Sequence, residues 1–571
     1  MNNVRSEVKT TIIAAKLPLA LGAVLIFAGL VVSPSALIGF LRTTPESLRE
    51  PLILGATLFK VGLVLDGIFI LALAWGTGWR LRPREEKFSS DPRTASFFLA
   101  AILLAAFLLR LYNLDSGIWF DEIITYVLYA NRPFGEILTT YDNQNNHVLY
   151  TLLARLSFWS FGESVWSLRL PAVLFGVGSI WAVYLFARHA VTWKEGLFAA
   201  ALLTFSYHHV WFSQNARGYT ALLFWTILSS WLLVRALSEA RLGLWLTYGF
   251  AAALGMLTHV TMAFVVVAHG VVYLLSLYDS NQEKRREQWL GGLIGFAVAG
   301  LLTFQLYALV LPQLLNWQGG GVSSWQGRVD VTPWKSPLWI LKEIRSANLG
   351  PGGDLLIFLA GLVFGVGIVD LARKKSPIIV LFGVSVLAGL AVIAGLGSTL
   401  LPRFFFYAMG FAAIVLVRGL VLSGNFLSGA LRLDPVKGPL VGVALCLAAV
   451  GGSGISLARA YQPKQDYGAA LEFVQNERRP GDAVLTVGLT VFPYERFYKA
   501  DWGKVTTVEE LNRARSRGTR TWLVYTMPVV LQAAYPEIKA AIDAEFETVK
   551  KFSGTLNGGE IVVALAKSPL R

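Results

Sequence analysis

Long apolar runs, interrupted at short intervals by basic clusters, fill most of the first 457 residues of this 571-residue chain. Runs of roughly 17–25 apolar residues are long enough to cross a bilayer as helices. About thirteen can be bracketed, at 17–40, 51–77, 96–112, 168–186, 195–212, 218–235, 242–258, 260–278, 289–311, 354–370, 377–396, 404–421 and 440–457. The first is too long for a signal-peptide core of ~7–15 residues and is read as a retained span. A shorter apolar stretch, 147–161, carries His147 and Arg155 and is predicted to lie in the membrane interface. After Ala458 the pattern changes. AVLTVGL, TRTWLVYT, FETVKKF and EIVVALA alternate as strands do, and DYGAALEFVQNE, TVEELNRARSR and PEIKAAIDAEF have helical spacing. The organisation expected is two appended N-terminal helices and a basic loop over 1–94, a membrane region over 95–457 and a small α/β domain over 458–571.

Charge sets the orientation. The clusters around Arg5, Arg80 to Arg93, Arg188 and Lys194, Arg235 and Arg241, Lys284 to Arg286, Arg373 to Lys375, and Arg432 and Lys437 all fall between apolar runs. If each stays cytoplasmic, an even number of crossings separates neighbouring clusters, and 147–161 is the segment that cannot cross. The N-terminus is then cytoplasmic. The loop holding Asp121 and Glu122, the turn 213–217, the long loop 312–353, the turn 401–403 and the C-terminal domain share the extracytoplasmic side. Within the long loop, NWQGGGVSSWQG suits a lid or a plain connector equally. A hydrophobic fraction of 55% and a charged fraction of 15% exclude a soluble fold. The formal charge of +14 is therefore a topology signal, and no nucleic-acid partner is implied. The single cysteine, Cys446, can form no intrachain disulfide. With an extracytoplasmic site and a compact outer domain, that favours a bacterial inner membrane.

The chemistry concentrates in three loops. GIWFDEIITY carries Asp121 and Glu122 among aromatic residues, and NNHVLY follows with Asn146, His147 and Tyr150. Adjacent carboxylates point apart on any regular backbone, so a division of labour is expected, one acting as base and the other binding a hydroxyl or a metal. The turn YHHVWFSQNARGYT holds Gln214, Asn215, Arg217 and Tyr219. Arg217, Arg169 in SLRLPAV and Arg403 in LPRFFFY oppose the positive-inside trend, and guanidinium groups suit a phosphate. Tyr407 closes the last of these segments.

The order of WFDE, NNHVLY, FGES, SLRLPAVLFG and SYHHVWFSQNARGYT resembles membrane glycosyltransferase family 39, the protein O-mannosyltransferase-like branch of the GT-C superfamily. The resemblance implies a polytopic α-helical GT-C-like fold and a sugar donor carried on polyprenyl phosphate. The acceptor would be the hydroxyl of a glycan, lipid or protein, and the anomeric centre would be inverted. It makes Asp121 the general base with Glu122 in support. Asn146, His147, Tyr150, Arg169, Gln214, Asn215, Arg217, Tyr219, Arg403 and Tyr407 are the candidate substrate-binding residues, and the resemblance puts Arg403 at the phosphate. Two departures stand out. Val148 replaces the proline of the family's HP-x-LYY motif, and Asn215 stands where an acidic residue is common. No cofactor is required, and a divalent metal stays open. The competing readings are a lipid or glycan flippase, for which Asp66 is the clearest mid-span ionisable residue, and a non-catalytic scaffold of the same fold.

Overall fold

A computed structural model of the chain describes residues 2–42, 49–75, 81, 92–142, 145–316, 338, 353–396, 400–433, 438–517 and 520–567. The stretch 317–327, read as a lid or connector, lies outside them. Among the described residues nine helices are long and apolar enough to cross a membrane, or ten if the bent pair Leu17–Val31 and Pro34–Leu41 is one span. The chain is an integral membrane protein. Three of the expected spans are shorter helices, with 12 residues at Trp193–Thr204, 17 at Leu242–Thr258 and 18 at Gly438–Ile455. Length and composition alone therefore support nine or ten crossings. The stretch expected at the interface forms the helix Val148–Phe161, at 14 residues also short for a span.

The first apolar run departs from expectation. The pattern over 17–40 predicts one straight span, but the chain bends by 98° after Val31. Ser33 is extended, its Oγ accepts a hydrogen bond from the Ala36 N–H at 3.1 Å, and Pro34 opens the next helix. Proline lacks the N–H that would continue the first helix, and the serine caps a new one. Elsewhere the caps fall where the sequence offers them. Ser164, Thr192 and Ser206 begin the helices Val165–Ala190, Trp193–Thr204 and Tyr207–Ser213, each accepting from the backbone N–H three residues on.

Proline also explains a contact that places the first loop. Pro171 sits inside Val165–Ala190 and cannot donate to the Ser167 carbonyl one turn back. That carbonyl accepts instead from Ser157 Oγ at 2.7 Å, and the neighbouring Leu168 carbonyl accepts from Tyr150 Oη at 2.6 Å. Both donors belong to Val148–Phe161, which is thereby held against the longer helix. Between two other helices, a Cβ at Gly367 would collide with the Val415 carbonyl oxygen, and one at Gly419 with that of Val363. The helices Gly353–Arg373 and Met409–Ala430 thus touch backbone to backbone, a packing that small residues allow.

The C-terminal domain folds around a mixed sheet of β1 (Ala483–Val487), β2 (Gly503–Val505), β3 (Thr521–Thr526), β4 (Phe546–Phe552) and β5 (Ile561–Ala566), in the order β2-β1-β3-β5-β4. β1 is parallel to β2 and β3, whereas β5 is antiparallel to β3 and β4. The four strands and three helices expected from the pattern are present. The three-residue β2 and the helix Pro528–Ala534 were too short to show a period. Side chains alternate across a strand. Leu485, Leu523 and Val562 face one way, onto Leu531, Ile538 and Ile542. Val484, Trp522, Val524 and Val563 face the other and share a core with Ile123, Ala154, Leu168 and Ala216. The domain and the first loop therefore pack as one body.

Candidate active site

The acidic pair begins the short helix Phe120–Ile124, and its two carboxylates diverge into different surroundings. Glu122 is completely buried. Arg169 grips it with two parallel bonds, Nε to Oε1 at 2.8 Å and Nη2 to Oε2 at 2.7 Å, and the Ala216 N–H donates to Oε1 at 2.7 Å. Burial by itself would raise the Glu122 pKa. The charges of Arg169 and Lys464, with the Arg169 and Ala216 hydrogen bonds, outweigh it and hold the group below the usual carboxylate range.

Asp121, 6% exposed, has one side-chain partner among the described residues, Arg403, whose Nη1 donates to Oδ2 at 3.1 Å. Asn145 ties this centre to the next loop, since its Nδ2 donates to the Asp121 carbonyl at 2.9 Å and its own carbonyl accepts from Arg217 Nη1 at 2.6 Å. His147 is buried, and its Nδ1 accepts from the Gly218 N–H at 2.9 Å. That acceptance puts the ring proton on Nε2. Burial and the nearby charges of Arg217, His259 and Arg403 hold the His147 pKa well below its ordinary value, so the ring is a neutral donor. Its Nε2, together with Asn215 Nδ2, Arg217 Nε and Arg403 Nε, is buried without a hydrogen-bond partner among the described residues. Buried polar atoms are rarely left unpaired, and these four donors, on loops tied together by the hydrogen bonds above, suit a ligand rich in acceptor oxygens. The Tyr219 ring packs edge-on to His147, with 5.3 Å between centroids.

Other residues expected to touch a donor are engaged elsewhere. Arg169 places its remaining donors on the carbonyls of Leu114, Ser116 and Gly117, so all five of its N–H groups are used inside the protein. Asn146 donates to the Thr140 carbonyl and accepts from Thr151 Oγ1. Gln214 donates to the carbonyls of Arg110 and Tyr112, which end the helix Arg93–Leu111 without helical partners. Tyr150 bonds the Leu168 carbonyl, and the fully buried Tyr407 donates to the Ser385 carbonyl at 2.9 Å. Each of these five side chains makes its hydrogen bonds inside the protein and holds a loop or helix in place. Glu122 likewise supports its neighbours, its oxygens taken up by Arg169 and the Ala216 N–H. As for a metal, no group of three or more His, Cys, Asp or Glu side chains among the described residues could hold one.

Sequence reading missed three groups. His259, in the turn after Leu242–Thr258, lies 4.7 Å from the His147 ring centroid, and burial with the Arg217 and Arg403 charges pushes its pKa down to about 3. A signal existed, because the same topology argument places that turn on the side of the other loops. Lys464 and Gln465 come from the start of the C-terminal domain. Lys464 Nζ donates to the Gln214 carbonyl at 2.8 Å, and Gln465 Oε1 accepts from the Phe120 N–H at 3.2 Å. Nothing local marks either residue.

Residues 147–303 match the family described as dolichyl-phosphate-mannose-protein mannosyltransferase. A putative mannosyltransferase, YkcB of Bacillus subtilis, is 22% identical over 224 residues, and the alignment covers 37% of this chain and 30% of that protein. The chain thus spans less than a third of the curated relative it matches. The oligosaccharyltransferase of Archaeoglobus fulgidus in its apo form superposes with a TM-score of 0.50 at 12% identity, covering 84% of this chain and 76% of that one. ArnT of Cupriavidus metallidurans bound to undecaprenyl phosphate gives a TM-score of 0.46 at 13% identity, over 83% and 98% of the two chains. The chain thus shares its fold with the Archaeoglobus fulgidus oligosaccharyltransferase, and its residues 147–303 match a mannosyltransferase family model.

Proposed function

We propose that this protein transfers a sugar from a polyprenyl-phosphate-linked donor to the hydroxyl of an extracytoplasmic acceptor, with Asp121 as general base. The observation that carries the reading is the unequal fate of the two carboxylates. Glu122 is locked to Arg169, whereas Asp121 bonds Arg403, whose Nε is one of four buried donors without a hydrogen-bond partner among the described residues. The description of the family matched over 147–303, which names a sugar on a polyprenyl phosphate, supports the donor class.

The donor's tail lies in the bilayer and its phosphate meets Arg403, Arg217 and the His147 Nε2–H. Arg403 donates to Asp121, and a donor phosphate bound there competes for that guanidinium and frees the carboxylate. Asp121 takes the proton of the acceptor hydroxyl as its oxygen bonds to the anomeric carbon. The bond from that carbon to the phosphate oxygen breaks on the opposite face, which inverts the centre. The lipid phosphate leaves with both electrons, and fixed positive charge beside it lowers the barrier. No nucleotide takes part.

Comparative mass spectrometry of lipids and envelope glycans tests this in native cells carrying wild type, a deletion or Asp121→Asn. One polyprenyl-phosphate sugar should accumulate and one glycan should disappear in both altered strains. A deletion that changes the profile while Asp121→Asn leaves it as in wild type would remove Asp121 from the chemistry.

A further inference from the structure

Residues 463–465, where the chain enters the C-terminal domain, form a clip that touches both halves of the site. On the domain side, the Pro463 and Lys464 carbonyls accept from the N–H groups of Thr555 and Leu556 at 2.9 and 3.1 Å. Gln465 Nε2 bonds Thr526 Oγ1 and the Gly559 carbonyl, each at 3.2 Å. On the membrane side, Gln465 Oε1 accepts from the Phe120 N–H. Phe120 is the first residue of the helix that carries Asp121, and the first N–H groups of a helix have no partner within it. A side chain from another domain thus caps the helix one residue before the proposed base. Lys464 bonds the carbonyl of Gln214, next to Asn215 and Arg217, and its ammonium lies 4.9 Å from the Trp211 ring centroid. Trp211 in turn donates to Thr555 Oγ1 at 2.7 Å.

Lys464 is only 5% exposed, and a buried ammonium is costly. An amide or hydroxyl would satisfy the Gln214 carbonyl without that cost. The charged groups facing Lys464 are Glu122 and Arg169, so its charge joins Arg169 in holding Glu122 ionised. Neither Lys464 nor Gln465 touches the four unpartnered donors.

We infer that Lys464 and Gln465 are positioning residues for the proposed transfer: Gln465 fixes the start of the Asp121 helix, and the charged Lys464 fixes the turn bearing Asn215 and Arg217 against Glu122. This rests on the reading of the site given above. Its consequence is that turnover depends on the C-terminal domain and on the charge of one lysine within it. Burial brings that lysine's pKa down to about 7, with the Arg169 charge adding to the shift and Glu122 opposing it. The charge is present below that value and lost above it.

The donor for the test is the polyprenyl-phosphate sugar isolated from Asp121→Asn cells, with wild-type envelope glycan acceptor and the full chain in nanodiscs. A misplacement of about 1 Å at a reacting group can cost on the order of 100-fold in rate. Lys464→Met and Gln465→Leu should each lower kcat about 10- to 100-fold; donor KM should change less than about twofold in Gln465→Leu and should rise in Lys464→Met, because the turn it loosens carries Arg217. Wild-type turnover should fall as pH rises through about 7. Lys464→Arg, which stays charged, should lose that alkaline limb, and Gln465→Leu should keep it. Hydrogen exchange of residues 117–126 should speed up in Gln465→Leu whatever the activity. Unchanged exchange there, or an alkaline limb that persists in Lys464→Arg, overturns the inference, even if Lys464→Met does not fold. A wild type without transfer, or an active Asp121→Asn, indicts the proposed function instead.

Discussion

Replacing Arg169 with methionine removes the partner of a fully buried carboxylate. The two side chains are 1% and 0% exposed, so solvent does not screen the loss. Breaking a buried ion pair on one side costs about 3–5 kcal/mol, because the remaining charge is stranded. The carbonyls of Leu114, Ser116 and Gly117 also lose their Arg169 donors, at about 1 kcal/mol each. Arg169→Met should therefore destabilise the protein by about 5 kcal/mol or more. Glu122→Leu strands the guanidinium, but the loop carbonyls keep their donors, so its cost is about 3–5 kcal/mol. The double variant removes both charges, and its cost should fall short of the sum of the singles by at least about 2 kcal/mol. Unfolding of all four proteins in mixed micelles, followed by tryptophan fluorescence, measures this. A strictly additive cycle, or an Arg169→Met within about 1 kcal/mol of wild type, would refute the assignment of Arg169 as the clamp of the first loop.

Tyr150→Phe should cost about 1–3 kcal/mol, because the Leu168 carbonyl loses its donor, while the donor KM of the folded variant stays unchanged; unfolding and kinetics on one preparation separate the two. His147→Ala removes an N–H with no hydrogen-bond partner among the described residues, so donor affinity should weaken about tenfold, equivalent to about 1.4 kcal/mol, and a binding titration that matches wild type would show that the imidazole does not meet the donor. The pH dependence of stability has a fixed sign. His147 and His259 have pKa values depressed in the folded protein, so the unfolded chain binds more protons below about pH 6.5, and stability should fall as pH drops from there towards 5. His259→Phe should flatten that slope in unfolding measured across this range.

The mode of construction was legible in the chain. Run length separated membrane helices from the α/β domain, and period-2 and period-3.6 patterns placed most of the latter's elements, because burial acts on every residue of an element and leaves a repeated signal. The bend after Val31 was present as Ser33 and Pro34, but a hydropathy run averages over such punctuation. Among site residues, sequence pointed to the loops but carried no record of the duties inside them. Asp121, His147, Arg217 and Arg403 do converge. Arg169, Gln214, Tyr150 and Tyr407, chosen by the same polarity and placement, serve carbonyls of the fold itself.

By itself, then, the sequence determined that the chain is a helical membrane protein with a small C-terminal α/β domain, that its polar chemistry lies in a few loops, and that adjacent carboxylates would diverge. These follow from local quantities: apolar length, side-chain period and backbone geometry. Only the tertiary structure decided which carboxylate is locked and which stays beside open donors, that His259 joins His147, and that Lys464 and Gln465 reach in from a domain more than 300 residues away in sequence from Asp121. A hydrogen bond is satisfied by whichever partner the fold brings within reach. The duty of a buried polar side chain is therefore fixed by long-range packing, which no local pattern records.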